Sequence, residues 1–323
     1  MVDIPVTNQT AVSEFILLGF PGLQQNFHTP VSIMMFIVYC VSLIANSTVI
    51  ILIILKENLH HPMYIVIGNL SLSDLLFDTI TLPKIIAKYW FGVGTISFYG
   101  CFFQLFCVHY LGSLDSFIIM LMAIDRYVAI CKPLRYHSII SNKLVTLICY
   151  CFLALDAIQE IILVVYNAKL PYCGPNKIKN CFCSITFLTV LACADHTFEI
   201  TLSYSFAMFV LLLPMSIIIL SYFLIIRVIH SSAGSENWQK AFSTCTTHLF
   251  VIGLYYIPRV FVYTTSKISF ILDADVNVLL LCLYTYIPHL ANPIIYCLRT
   301  AEIRTIVGQM FHKTFRVKAH NNK

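Results

Sequence analysis

Residues 197–226 read TFEITLSYSFAMFVLLLPMSIIILSYFLII, a run in which Glu199 is the only charged side chain. A helix rises ~1.5 Å per residue, so about 20 apolar residues cross ~30 Å of hydrocarbon, and this run is long enough to do so. Six further runs share its character, near residues 30–55, 62–86, 98–123, 143–166, 240–265 and 276–298. Hydrophobic residues make up 59% of the 323 and charged residues only 11%, against roughly 25% charged in soluble domains. In lipid every backbone polar group must be paired within its segment or in a closed barrel. Runs this long and continuous fit helices rather than ten-residue alternating strands. The expected fold is an all-α membrane protein, a seven-transmembrane helix bundle at 30–298, with an amino-terminal segment at 1–29 and a tail at 299–323.

Charge supplies an orientation. The first residues carry Asp3 and Glu14 and no basic cluster, so no cleaved leader is expected and the first span acts as its own insertion signal. Asn8-Gln9-Thr10 is a glycosylation acceptor, usable only on the lumenal side. Lys and Arg gather on the cytoplasmic side of short loops. With the amino terminus outside, Lys56, Arg126, Lys132, Arg135, Lys143, Arg227, Lys240, Arg299, Arg304, Lys313, Arg316, Lys318 and Lys323 fall on the inner side, thirteen of the twenty basic residues. The net charge of +5 therefore reflects topology. The expected setting is a multi-pass plasma-membrane protein in contact with lipid, without a nucleic-acid partner.

The spans do not divide into two matching halves, which argues against many secondary transporters. Cys173, Cys181, Cys183 and Cys193 lie in the longest segment between spans, and Cys101 lies at the outer end of the third span. On the oxidising side these form disulfides, whose connectivity the spacing leaves open. They account for Cys181, Cys183 and His196 without a metal site. From Arg299 to Lys318, Ile303, Ile306, Val307, Met310 and Phe311 recur at helical spacing between basic residues, predicting an amphipathic helix on the inner leaflet.

At the inner end of the third span stands Met122-Ala123-Ile124-Asp125-Arg126-Tyr127-Val128-Ala129-Ile130-Cys131. The string resembles the signature of vertebrate olfactory receptors within the rhodopsin-like G-protein-coupled receptors, apart from Ile124, where that family usually has Tyr. The resemblance continues in order through Asn46, Pro62-Met63-Tyr64, Leu72-Ser73-Asp74-Leu75, Ser221-Tyr222, the segment Lys240 to His248, and Asn292-Pro293-Ile294-Ile295-Tyr296. Phe20-Pro21-Gly22-Leu23 and Leu191-Ala192-Cys193-Ala194-Asp195 look like its fish-like class I. The resemblance implies an odorant receptor of the olfactory sensory neuron, acting on a stimulatory heterotrimeric G protein. It implies bridges Cys101–Cys183 and Cys173–Cys193 with Cys181 unpaired. It implies a switch region of Asp125, Arg126, Tyr127, Tyr222, Asn292, Pro293 and Tyr296, with Arg126 paired to Asp125 at rest. It also implies a sodium or water pocket lined by Asp74 and Asp115, where the family commonly has Glu in place of Asp115. The alternative is one protonated carboxyl hydrogen-bonded to the other. No other cofactor and no metal is expected.

Ligand recognition belongs where spans three, five, six and seven converge. Arg259, Tyr263 and Lys267 recur at four-residue steps, forming one stripe rising from the kink at Pro258. Arg259 and Lys267 are candidates to receive an anionic group; Lys267 could instead snorkel to the surface, and Arg259 could pair with Glu199, Asp156 or Glu160. Leu105, His109, Gly112 and Ser113 form the facing side of span three, with Phe206 and Val210 opposite. The seventh span holds no Lys, which excludes an opsin-like Schiff base at Tyr286, and Val108 stands where amine receptors place Asp. No nucleophile-base-orienter set or nucleotide loop is present, so catalysis is not expected. The rivals are a non-olfactory receptor for an endogenous acid or lipid and, from another class, a transporter or channel.

Overall fold

The computed structural model describes residues 12–232, 249, 252–265, 273–299 and 304–305. Seven helices carry the architecture: α1 (His28–Leu55), α2 (Pro62–Phe91), α3 (Phe98–Cys131), α4 (Asn142–Ala168), α5 (Thr197–Ser232), α6 (described over 252–265) and α7 (Ala274–Arg299). Over the described residues, six are long and apolar enough to cross a membrane. Each end has a local cause. Pro62 sits in the first turn of α2, where its missing N–H costs nothing, and Gly92 closes that helix at φ 72°. Ser97 and Ser141 cap α3 and α4, each hydroxyl accepting a backbone N–H, from Gly100 at 3.1 Å and Leu144 at 3.2 Å.

The helices are apolar outward and polar inward. Ile37, Ile44 and Ile54 of α1 and Leu147, Leu155 and Ile158 of α4 are exposed to the surroundings. Ser42, Asn46, Asp74, Asp78 and Asp115 are buried between helices. Lipid tails reward the first arrangement, and only neighbouring helices can satisfy the second.

Two proline breaks are repaired across helices. Pro214 has no N–H to donate to the Val210 carbonyl, and the Ser116 hydroxyl donates to it instead at 2.8 Å. Pro293 likewise frees the His289 carbonyl, which accepts from Asn46 Nδ2 at 3.2 Å. These bonds tie α3 to α5 and α1 to α7 beside the prolines.

The all-α bundle carries one addition, a small three-stranded sheet at one end. Strand β1 (Glu14–Leu17) lies between β2 (Thr95–Ser97), antiparallel with Phe15 opposite Ile96, and β3 (Lys177–Ile178), parallel with Ile16 opposite Lys177. Phe15 and Leu17 are fully buried, as alternation along a strand allows. The partners are far apart in sequence, so no local pattern announces the pairing. Disulfides Cys101–Cys183 and Cys173–Cys193 tie the same end together, in the connectivity the resemblance implies. Asn8, the segment 240–248, Lys267 and nearly all of 299–318 lie outside the described residues, as does the side chain of Tyr296.

Candidate functional site

A cavity of about 170 Å³ opens among α3, α4, α5, α6 and α7 beneath the 181–190 loop. Of the residues expected to meet a ligand, His109, Gly112, Ser113, Phe206, Val210, Arg259 and Tyr263 line it. Leu105 does not. It is fully buried in a cluster with Phe15, Cys101, Phe102 and Ile178, because the sheet and the tethered loop cover the upper turn of α3. Glu160, considered from sequence only as a partner for Arg259, lines the cavity itself, as do Phe77 and Phe182.

Arg259 is the cation among the described residues that line the cavity and is only 7% exposed. Its Nη1 donates to the Tyr255 hydroxyl at 2.6 Å and the Gly112 carbonyl at 3.3 Å, and its guanidinium lies 3.9 Å from the centre of the Tyr255 ring. One helical turn separates Tyr255 from Arg259, which places the ring directly under the charge. Nε is buried without a hydrogen-bond partner. The ion pairs among the described residues all involve His289, so the expected alternatives of Asp156, Glu160 and Glu199 do not neutralise Arg259. On the other wall, Glu160 Oε1 accepts from Ser113 Oγ and Gln159 Nε2, each at 3.4 Å, while Oε2 has no partner. His109 Nε2 accepts the Ile185 amide at 3.2 Å, which commits that nitrogen to the loop.

Deeper in the bundle lies a second polar group. Asp74 and Asp115 are 0% and 1% exposed, and His289, which sequence reading passed over, lies between them. Its Nε2 is 3.5 Å from Asp74 Oδ1 and 3.9 Å from Asp115 Oδ2, while Nδ1 contacts Asp78 Oδ1 at 2.7 Å. Ser42 donates to Asp78 at 2.5 Å and Asn292 to Asp74 Oδ2 at 3.1 Å. The two acids share no direct bond. Asp74 Oδ1 and both Asp115 oxygens are buried without hydrogen-bond partners, and one donor atom from each of Asp74, Asp115 and His289 lies within 4.8 Å of the others. That oxygen-rich set fits a small cation. His289 leaves a signal only in retrospect: it lies one turn before Asn292, while Asp74 and Asp78 share a face of α2.

At the end of α3 the structure holds contacts other than the Asp125–Arg126 pair expected at rest. Asp125 accepts from the Tyr136 hydroxyl at 2.7 Å, and Arg126 donates to Met63 Sδ at 2.9 Å, with no ion pair between Asp125 and Arg126 among the described residues. Tyr136 follows the Pro133–Arg135 turn, which folds it back onto α3 and lets it take the carboxylate first. Tyr222 is buried, Tyr127 packs at the edge of the inner core, and Pro293 is buried. Cys181 is buried and free, its sulfur 3.9 Å from that of Cys282.

A helical bundle that crosses a membrane repeatedly, with a small and mostly apolar cavity under a disulfide-tied loop, is a multi-pass membrane protein with a site for a small molecule. Residues 35–314 match the olfactory receptor family model. Among similar proteins, olfactory receptor 56B34 of Mus musculus is 38% identical over 309 residues, covering 96% of this chain and 94% of its own. Olfactory receptor 52D1 of Homo sapiens is 34% identical over 315 residues, covering 97% and 98%. Olfactory receptor 1 of Rattus norvegicus is 34% identical over 308 residues, covering 95% and 96%. The chain belongs to the olfactory receptor family: it is an odorant receptor of the G-protein-coupled type and not an enzyme.

Proposed function

We propose that the odorant is a small anion whose acid group is received by Arg259 in the cavity. The observation that carries this reading is a buried guanidinium that lines the cavity, keeps its Nε unpartnered and meets no carboxylate within ion-pair range among the described residues. A buried cation is costly until a partner arrives, and a bidentate carboxylate is the partner its geometry favours. Arg259→Leu is expected to weaken the response to short carboxylic acids by tenfold or more at normal surface level, scored by cyclic nucleotide production in cells. An unchanged dose response would remove the proposal.

Signalling then runs to the opposite end of the bundle. A ligand that draws α6 toward α3 shifts the population between two packings, and the contacts Asp125–Tyr136 and Arg126–Met63 are what an open inner face must exchange for a stimulatory G-protein helix. The amino terminus faces outward in this reading, consistent with the charge distribution and with disulfides at the cavity end. Asp74 and Asp115 hold a sodium ion at rest, with His289 beside them. A resting state that is indifferent to replacing sodium by a bulky organic cation would count against that site.

A further inference from the structure

The cavity has two polar poles, and they do not satisfy each other. Arg259 reaches it from α6 and Glu160 from α4, and consecutive residues of α3 hold them: the Gly112 carbonyl accepts from Arg259 and the Ser113 hydroxyl donates to Glu160. The two groups thereby enter one cavity from different helices, each tied to α3 and neither to the other. Glu160 is 2% exposed, with Oε2 unpartnered; Arg259 is 7% exposed, with Nε unpartnered.

Burying an acidic and a basic group in one cavity is least costly when they pair directly, yet no such pair forms. One ligand that carried both complementary charges would complete both. Phe206, Val210, Leu211 and Val262 supply apolar surface for a short side chain. A volume of about 170 Å³ suits a molecule slightly larger than benzene, which an engineered cavity of ~150 Å³ holds.

Resting on the reading that Arg259 takes the acid group, we propose that the receptor's ligands are small apolar α-amino acids, with the carboxylate on Arg259 and the ammonium on Glu160. Specificity of this kind is strong, because a ligand lacking one pole leaves a buried charge unpaired.

The test uses the full-length receptor in cells with a cyclic-nucleotide reporter and antibody measurement of surface level. Three matched probes separate the poles: valine, 3-methylbutanoate, which lacks the amine, and 2-methylpropylamine, which lacks the acid. Valine should be at least tenfold more potent than either. Glu160→Gln should weaken valine tenfold or more and erase its advantage over 3-methylbutanoate, while Arg259→Leu weakens both. Valine no better than 3-methylbutanoate at the wild-type receptor, or a Glu160→Gln receptor that still prefers valine tenfold, overturns the two-pole site. If that happens while Arg259→Leu still abolishes the response to 3-methylbutanoate, the acid reading survives alone. Silence of the wild-type receptor toward all three overturns both readings. If Glu160→Gln fails to reach the surface, the wild-type rank order decides.

Discussion

The cavity and the polar cluster beneath it are built from the same kinds of residue and are bonded differently. Around His289, the ring contacts Asp78, Asp78 accepts from Ser42, Asn292 donates to Asp74, and Asn46 closes on the proline-freed carbonyl. In the cavity, Arg259 and Glu160 bond to α3 and leave one polar atom each without a partner. Phe77 stands between the two regions, edge-on to His289 at 5.2 Å and to Phe182 of the loop at 5.8 Å. Asp74 Oδ1 and both Asp115 oxygens are also unpartnered, so each region has room for a guest. The cluster in addition cross-links helices, and that difference predicts that substitutions in the two will report through different measurements.

The largest effect should fall where a ligand role was expected and packing was found. Leu105→Ala removes a fully buried side chain and should cost roughly 2–5 kcal/mol of stability, read as a lower melting temperature of purified receptor. Odorant potency per surface receptor should stay constant, and a selective loss of potency would return Leu105 to the site. Next, Asp78→Ala strands the His289 ring and the Ser42 hydroxyl inside the bundle, for about 1–3 kcal/mol. A melting curve matching wild type would show that the cluster holds nothing together.

Val210→Phe reverses the pattern by placing bulk in the cavity. Potency should fall at least tenfold with surface level nearly kept, and a fully responsive receptor would place the ligand elsewhere. Ser113→Ala removes the hydroxyl that positions Glu160; at about 1 kcal/mol per hydrogen bond, amino-acid potency should drop around fivefold.

The smallest effect concerns the start of α5. The Thr197 hydroxyl and amide donate to Asp195 Oδ1 at 2.6 and 3.0 Å and hold its carboxyl below the usual carboxylate range. A carboxylate depressed in the folded state stabilises above its unfolded value and loses that contribution as pH falls through the lower folded one. Asp195→Ala should therefore lower the melting temperature slightly and evenly at neutral pH, with the gap to wild type closing only in strong acid. A gap that varied between pH 6 and 8 would point to another group.

The spans were legible because lipid demands long apolar runs, and their ends lie within a few residues of the expected positions wherever a Pro, Ser or Gly marks them. α3 runs on to Cys131, past the expected limit at 123, since a charged helix end at the interface costs little. Arg259 was legible because an arginine deep in an apolar run has few uses. Leu105 was misplaced because a helical stripe shows which residues share a face but not where the cavity begins along it. His289 and Glu160 were missed as site residues because their meaning comes from convergence: the His289 environment draws on α1, α2, α3 and α7, and no spacing within one helix encodes that. The Asp125–Tyr136 contact was missed for the same reason, since a short turn decides which group reaches the carboxylate.

The strand Glu14–Leu17 has a consequence for the making of the protein. Asn176, at the edge of its parallel partner, donates to the Glu14 carbonyl across 162 positions of chain. At a synthesis rate of about 5–20 residues per second, the earliest strand waits roughly 8–30 s for that partner to be translated. Its unpaired edge is a template for adhesion throughout that interval. Biogenesis of this receptor thus depends on whatever shields this strand while the ribosome is still at work.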